Sequence, residues 1–256
     1  MSLINKNHLF LLREIVKKNF SSKYKDSTLG ILWSMLQPLL IMSVFTIIFS
    51  TVFGKKIVNY PVYYLVARSV LDLFNGGVTA SMKSLRGNRG ILMQTDAPKH
   101  IFVLGAIASE FVNFIIYSLL VVVIMFATHA PFYFNTIPYV IIPIISLIMM
   151  TTGLGLALSI VAVYYSDIMH LWGVVSLLIL YSSALFYPME ILPEPFRSYA
   201  LLSPVFWIID QARDYVYLGR MHSPLNTFNS LLLSAIILVI GIIVFQKYKD
   251  RVSKRF

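Results

Sequence analysis

The chain has 256 residues, 58% of them hydrophobic and only 12% charged, with no cysteine and a formal net charge of +10. So apolar a composition excludes an ordinary water-soluble domain, which needs about 25% charged residues for its surface, and the lack of cysteine excludes disulfides, thiolate metal sites and a cysteine nucleophile. In a soluble chain the positive balance would point to nucleic acid; here its placement follows membrane topology instead.

Ahead of the first apolar run, Leu9, Leu12, Val16 and Phe20 recur at helical spacing, with Arg13, Glu14, Lys17 and Lys18 on the other face. The pattern predicts that region 1–28 holds a basic amphipathic helix at the lipid headgroups, retained rather than cleaved. It is either a plain juxtamembrane anchor or the border of an access route for an anionic, lipid-linked substrate, or a prop for a cytosolic partner. Asp26, Ser27 and Thr28 then offer capping side chains, Trp33 is an interfacial ring, and Pro38 bends the start of the first span.

Six apolar stretches follow, at Leu36 to Phe53, Val62 to Ala80, Phe102 to Thr128, Ile137 to Tyr164, Leu171 to Pro188 and Phe228 to Gln246. Each is about 18 residues or longer, enough for a helix to cross about 30 Å of hydrocarbon. The expected fold is an all-α integral membrane domain over residues 1–256, with six transmembrane helices, the N-terminal interface helix and short outer re-entrant helices.

In the second stretch Arg68 and Asp72 stand four apart, on one helix face, either neutralising each other or forming a polar element of a transport path or a contact across a dimer. The basic segment 81–100, punctuated by Gly87, Gly90 and Pro98, predicts a bent helical lever. It is either an ordinary positive-inside loop or a docking element for a cytosolic protein. Glu110, with Ser109 and Asn113 beside it, suits a pairing with a neighbouring helix or a proton relay. Gly153 and Gly155 suggest close helix packing. The outer segment 189–227, broken by Pro193, Pro195 and Pro204 and rich in aromatics, reads as interfacial or re-entrant pieces buried against protein or lining a cavity. Tyr60, Tyr63, Tyr64, Trp172, Tyr181, Phe186 and Tyr187 gather near span ends, as interface anchors or as rings on which sugars stack.

Basic residues dominate 1–28, 81–100 and the tail from Lys247, whereas 189–227 is balanced by Glu190, Glu194, Asp210 and Asp214. The positive-inside rule therefore puts both termini in the cytoplasm, against the minor opposition of Lys55 and Lys56. Phosphate-loop, zinc-protease and nucleophile-elbow motifs are missing, and the five histidines are scattered without ligand spacing. No catalytic residue, metal ligand or cofactor is expected in this chain.

The amphipathic N-terminus running into Leu29-Gly30-Ile31-Leu32-Trp33-Ser34-Met35-Leu36-Gln37-Pro38 fits the pattern LGxLWxxLxP. Together with Asn88 through Leu92 to Pro98-Lys99, Asp167-Ile168, Tyr187-Pro188 and Leu201 to Pro204, it resembles the membrane subunit of an ABC-2 type exporter, in the branch that moves lipid-linked polysaccharide such as O-antigen, capsule or teichoic acid. Ser166, Arg68 and Gln94 stand where that family more often has Arg, Gly and Lys. The resemblance implies a homodimer in a prokaryotic cytoplasmic membrane, with two copies of a separate cytosolic ATPase that carries ATP and magnesium. That ATPase would grip Lys83, Arg86, Asn88, Arg89, Pro98, Lys99 and His100. The cargo would be a glycan on undecaprenyl diphosphate, its diphosphate drawn by Arg13, Lys17, Lys23 and Lys25. Competing readings are an ABC-2 exporter of a drug or unmodified lipid, a membrane enzyme acting on polyprenyl phosphate, and a secondary transporter, which usually shows internal repeats.

Overall fold

The computed structural model describes residues 6–24, 28–30, 32–53, 57–189, 193, 194, 197 and 203–252. These residues form helices α1 (Lys6–Tyr24), α2 (Leu32–Phe53), α3 (Tyr60–Gly87), α4 (Arg89–Gln94), α5 (Lys99–Ala127), α6 (Ile141–Tyr164), α7 (Ile168–Ser182), α8 (Pro204–Arg213) and α9 (Pro224–Val252), and no strand occurs among them. A 3-10 turn at Ile137–Val140 leads into α6, and a π turn at Asp214–Leu218 ends α8.

Each predicted apolar stretch falls wholly or partly on a helix, but among the described residues four helical segments are long and apolar enough to cross a membrane: Leu32–Phe49, Lys99–Ala127, Ile137–Tyr164 and Pro224–Val252. Helix α3 is 28 residues long, about 42 Å, yet carries Arg68, Asp72, Lys83 and Arg86. The stretch expected at Leu171 to Pro188 is shorter than the sequence suggests. Helix α7 has 15 residues, about 22 Å, and stops at a turn in which Ala184 takes a left-handed φ of 50°.

Polar α3 survives because protein surrounds it. It packs against α5 and α6 along its length and touches α2, α7 and α8. Tyr64, Leu71, Phe74, Val78, Met82 and Leu85 are almost fully buried on it. Its start is fixed by Asn59, in left-handed conformation, whose side chain accepts from the Val62 amide, and by Pro61 in the first turn. Apolar packing then divides into a large core around α3 and a smaller one near its C-terminus, where Ile15, Leu85, Leu92, Phe102 and Phe245 meet.

The outer faces of α2, α7 and α9 are apolar and exposed: Leu40, Val44 and Ile47, then Leu171, Val174 and Leu178, then Phe228, Val239 and Ile243. In water such a surface would aggregate; against lipid it is the expected solvent-facing side. Several hydroxyls on the helices bend back to carbonyls one turn earlier, as Ser43 does to Leu39 and Ser81 to Gly77, whereas those of Thr46, Ser146 and Thr151 are buried with no hydrogen-bond partner among the described residues.

Helix α1 departs from the expected stripe. Its buried centre is Ile15, whose Cγ2 would lie 2.6 Å from a Cβ added at Gly105 of α5, while Leu9 points outward at 59% exposure. The missing side chain at Gly105 provides the notch, so α1 is keyed to α5 as well as suited to a headgroup surface.

Candidate functional site

The segment 81–100 is almost wholly helical. Ser81–Gly87 completes α3, Asn88 caps it by giving its amide Nδ2 to the Ser84 carbonyl at 2.8 Å, and α4 follows before Pro98 starts α5. Leu92 anchors α4 in the lower core, leaving Arg89, Ile91 and Met93 exposed on its outer side. Lys83 and Arg86 are exposed beside them, whereas Asn88, Pro98, Lys99 and His100 are half-buried. Arg86 also donates Nη2 to the Val163 carbonyl at 3.0 Å, tying α3 to the end of α6. The result is a short rigid projection with a cationic and thioether-bearing tip.

Helix α1 is clipped to this projection. Lys18 donates to Asn88 Oδ1 at 3.2 Å, and Asn19 donates to the Ser109 hydroxyl at 3.3 Å. Lys23 pairs with Glu110 at 3.4 Å. Of the four cations proposed for a diphosphate, Arg13 and Lys17 are exposed, Lys23 is engaged with Glu110, and Lys25 lies outside the described residues.

Glu110 has partners on two helices. Besides Lys23 it accepts from Asn113 Nδ2 at 2.9 Å, and its carboxylate lies beside Gly76, where an added Cβ would come within 3.2 Å of Oε2. On the facing helix Arg68 gives Nε to Asp72 at 2.9 Å. The two pairs line one polar cavity among α1, α2, α3 and α5.

The aromatic residues are distributed differently from expectation. Tyr60, Tyr63 and Tyr64 are buried inside the protomer and pack with Phe45 and Phe49 of α2 and with Phe186; the Phe45 and Phe186 ring centres are 4.7 Å apart. Tyr60 donates to the Phe186 carbonyl at 3.2 Å and Tyr63 to that of Tyr187 at 2.8 Å. In this conformation these three rings join helices and offer no open face to a sugar. Trp172 is buried against Phe74, Tyr187 donates to the Tyr181 carbonyl, and Tyr181 itself is exposed.

At the opposite end of α3 from the projection, the outer segment holds a network with no sequence signature. Buried Arg213 donates to the carbonyls of Ala184 at 2.9 Å and Leu185 at 3.1 Å, and its guanidinium lies 3.6 Å over the Tyr63 ring. Asp214 accepts from Arg220 at 2.7 Å and sits 2.8 Å from His222 Nδ1. Asp210, Asp214 and His222 thus come together although their spacing suggested no metal group. Both oxygens of Asp214 are already engaged, by Arg220 and by His222. Glu190 and most of the proline-rich stretch before α8 lie outside the described residues.

Burial pushes the Asp210 carboxyl above the usual range, Asp214 adds to the shift, and His222, Arg213 and Arg220 oppose it. A carboxyl raised on folding contributes stability below its unfolded pKa and loses it as pH rises through the folded value. Asp210→Asn should accordingly raise the thermal midpoint at neutral pH. With 36% of the side chain open to water the charge is screened, so the gain should be on the order of 1–2 °C and should vanish near about pH 4. A gain that grows on acidification would refute the assignment.

An apolar-sided helix bundle with a basic helical projection at one end of its central helix and a folded cap at the other is the build of a membrane transport permease. Residues 11–217 match the model of the ABC-2 type transporter family, and the chain belongs to that family. It is 26% identical over 252 residues to the O-antigen export system permease protein RfbA of Klebsiella pneumoniae, covering 98% of this chain and 96% of the relative. A protein of the same description from Myxococcus xanthus is 25% identical over 215 residues, 82% of each chain. The polysialic acid transport protein KpsM of Escherichia coli is 19% identical over 244 residues, covering 93% of this chain and 92% of its own.

Proposed function

We propose that this chain is the membrane-spanning permease subunit of an exporter that carries polysaccharide on a lipid diphosphate across the cytoplasmic membrane of a prokaryote, driven by a separate cytosolic ATPase. The observation that carries this reading is the similarity to O-antigen export permeases, which extends over 98% of this chain and 96% of the relative. Six spans with both termini in the cytoplasm fit the charge distribution, with α3 and α7 crossing as parts of an assembly rather than as independently lipid-stable helices. A homodimer fits α7, which buries only Trp172 within the protomer. The projection formed by the end of α3 and by α4 is where two ATPase copies would push. The cap beginning at α8 would close the outer side.

Deleting the gene should remove the surface glycan, and complementation should restore it. A strain that keeps its glycan but loses resistance to a drug would overturn the polysaccharide reading.

The lever is tested separately. Because Arg86 also braces α6, the informative variant is Lys83→Glu with Arg89→Glu, both exposed. Reversing two interfacial charges is expected to lower ATPase recovery by about tenfold or more while the thermal midpoint stays unchanged. Undiminished co-purification and export would remove the projection from the coupling role.

A further inference from the structure

The polar cavity among α1, α2, α3 and α5 has a volume of about 260 Å³ and is lined by Lys23, Arg68, Asp72, Glu110, Asn113 and Tyr117 on its polar side. A second cavity of about 320 Å³ shares Lys23, Glu110 and Asn113 with it and continues to Lys18, Lys83 and Asn88. Together they form one crevice running from the basic projection into the bundle. Asp72 lies about 22 Å before the end of α3 at the rise of a helix, so charge is carried to membrane depth. Charges there must face protein or water. Arg68 and Asp72 meet that condition by keeping 28% and 26% of their side chains open into the cavity.

Electrostatically the crevice lacks negative charge. Lys18, Lys23, Arg68 and Lys83 face only two carboxylates, Asp72 and Glu110. Lys18 donates to a neutral amide, and Lys83 has no carboxylate partner among the described residues. The ion pair with Asp72 engages Arg68 through Nε, and a guanidinium presents a fork of further donors suited to phosphate oxygens. Gln37 of α2 adds a neutral polar group, and the rest of the wall is apolar: Ile41, Leu73 and Phe114, with Pro38 of α2. Pro38 lies inside α2 and removes one of its backbone hydrogen bonds, so the helix can bend at the cavity. On the far side of that helix Leu36, Leu40 and Val44 are exposed to lipid.

We infer that this crevice is a seat for the phosphate headgroup of a membrane lipid, whose chain lies along α2. The internal carboxylates Glu110 and Asp72 occupy the cations until that headgroup displaces them. In this scheme the Lys23–Glu110 pair fastens α1 to α5 when the seat is empty, and an arriving phosphate releases it. That the lipid is the glycan carrier rests on the proposed function; the seat itself does not.

The absence of cysteine makes the test clean. The full chain with Ile41→Cys, in maltoside detergent micelles free of phospholipid, is labelled with a water-soluble thiol reagent in the presence of farnesyl diphosphate, inorganic diphosphate or farnesol. Farnesyl diphosphate at about ten times its Kd should slow labelling by about tenfold, whereas the other two should slow it little. Arg68→Gln should abolish the protection. Glu110→Gln should lower the concentration needed for it, since a competitor is removed; a merely structural Glu110 predicts the reverse. Protection by inorganic diphosphate or farnesol equal to that by the lipid diphosphate would overturn the assignment, as would no protection of the Ile41→Cys chain itself. No protection in a chain that still restores surface glycan refutes the seat alone; protection alongside a glycan indifferent to deletion refutes the export reading alone.

Discussion

Replacing Gly241 with leucine is expected to leave almost no folded protein in the membrane. Helices α6 and α9 form the closest helix pair in the bundle, and at their crossing the two backbones touch. A Cβ at Gly241 would fall on the carbonyl of Gly153 and within 2.6 Å of its Cα, and one at Gly153 would lie 2.7 Å from the Leu238 Cα. Between lipid-embedded helices no hydrophobic drive holds the pair together, so contact of this kind is the association energy itself. Overpacking a core costs about 1–3 kcal/mol where side chains can shift. Backbone cannot shift, so the helices must separate and forfeit contacts along both. Gly90 supplies the control: it lies exposed on α4 with nothing within 4 Å of an added Cβ. Gly90→Ala should leave stability unchanged or raise it by up to about 1 kcal/mol through helix propensity. Thermal unfolding followed by size-exclusion chromatography in detergent distinguishes these cases. A Gly241→Leu protein that elutes and melts like the parent would show that α6 and α9 do not cross as described.

That crossing was partly legible. Gly153 within an apolar run suggests close packing, but nothing in the sequence says that its partner is Gly241, 88 positions on. The same limit recurs at the crevice. The Arg68 and Asp72 pair can be read from a spacing of four on one helix, because helical geometry alone brings the two side chains together. The Lys23 and Glu110 pair cannot, since its geometry depends on how α1 docks on α5, and that is set by the notch at Gly105. Apolar runs located α2, α5, α6 and α9 because lipid demands length and hydrophobicity. They overextended α7, whose end is fixed by the left-handed turn at Ala184 rather than by loss of hydrophobicity. Aromatic clustering near span ends was visible, yet the direction in which Tyr60, Tyr63 and Tyr64 face was not. Periodicity says that rings share a face of α3; only the packing of Phe45 and Phe49 on α2 and of Phe186 says that this face looks inward.

Arg213 was the least legible and should be among the least replaceable residues. Its partners at 2.9 and 3.1 Å are main-chain carbonyls of Ala184 and Leu185, which any sequence would present. Those carbonyls lie at the turn that terminates α7, where no helical N–H follows to satisfy them. Removing the guanidinium leaves the buried Leu185 carbonyl unpaired, at about 1–3 kcal/mol, leaves Ala184 only the Tyr63 hydroxyl at 3.3 Å, and forfeits the contact over the Tyr63 ring. Arg213→Met, which keeps the bulk of the stem, should therefore lose about 3 kcal/mol or more. Arg213→Lys should recover little, because one ammonium cannot serve carbonyls on two residues while lying flat over the Tyr63 ring. Arg220→Gln is the matched control. Its side chain is 64% exposed, while its partner Asp214 is buried but keeps His222 on the other oxygen, so loss of the pair should cost about 1–2 kcal/mol, less than loss of Arg213. The consequence extends past stability, because Arg213 connects the turn after α7 to α8 and to the first turn of α3, through Tyr63. With that link cut, the cap and the central helix should move independently, so protease added from the outer side should cleave the segment between α7 and α8 faster in Arg213→Met than in Arg220→Gln. Equal cleavage and equal thermal midpoints in the two variants would show that the cap is held by its apolar contacts and that the buried arginine is incidental.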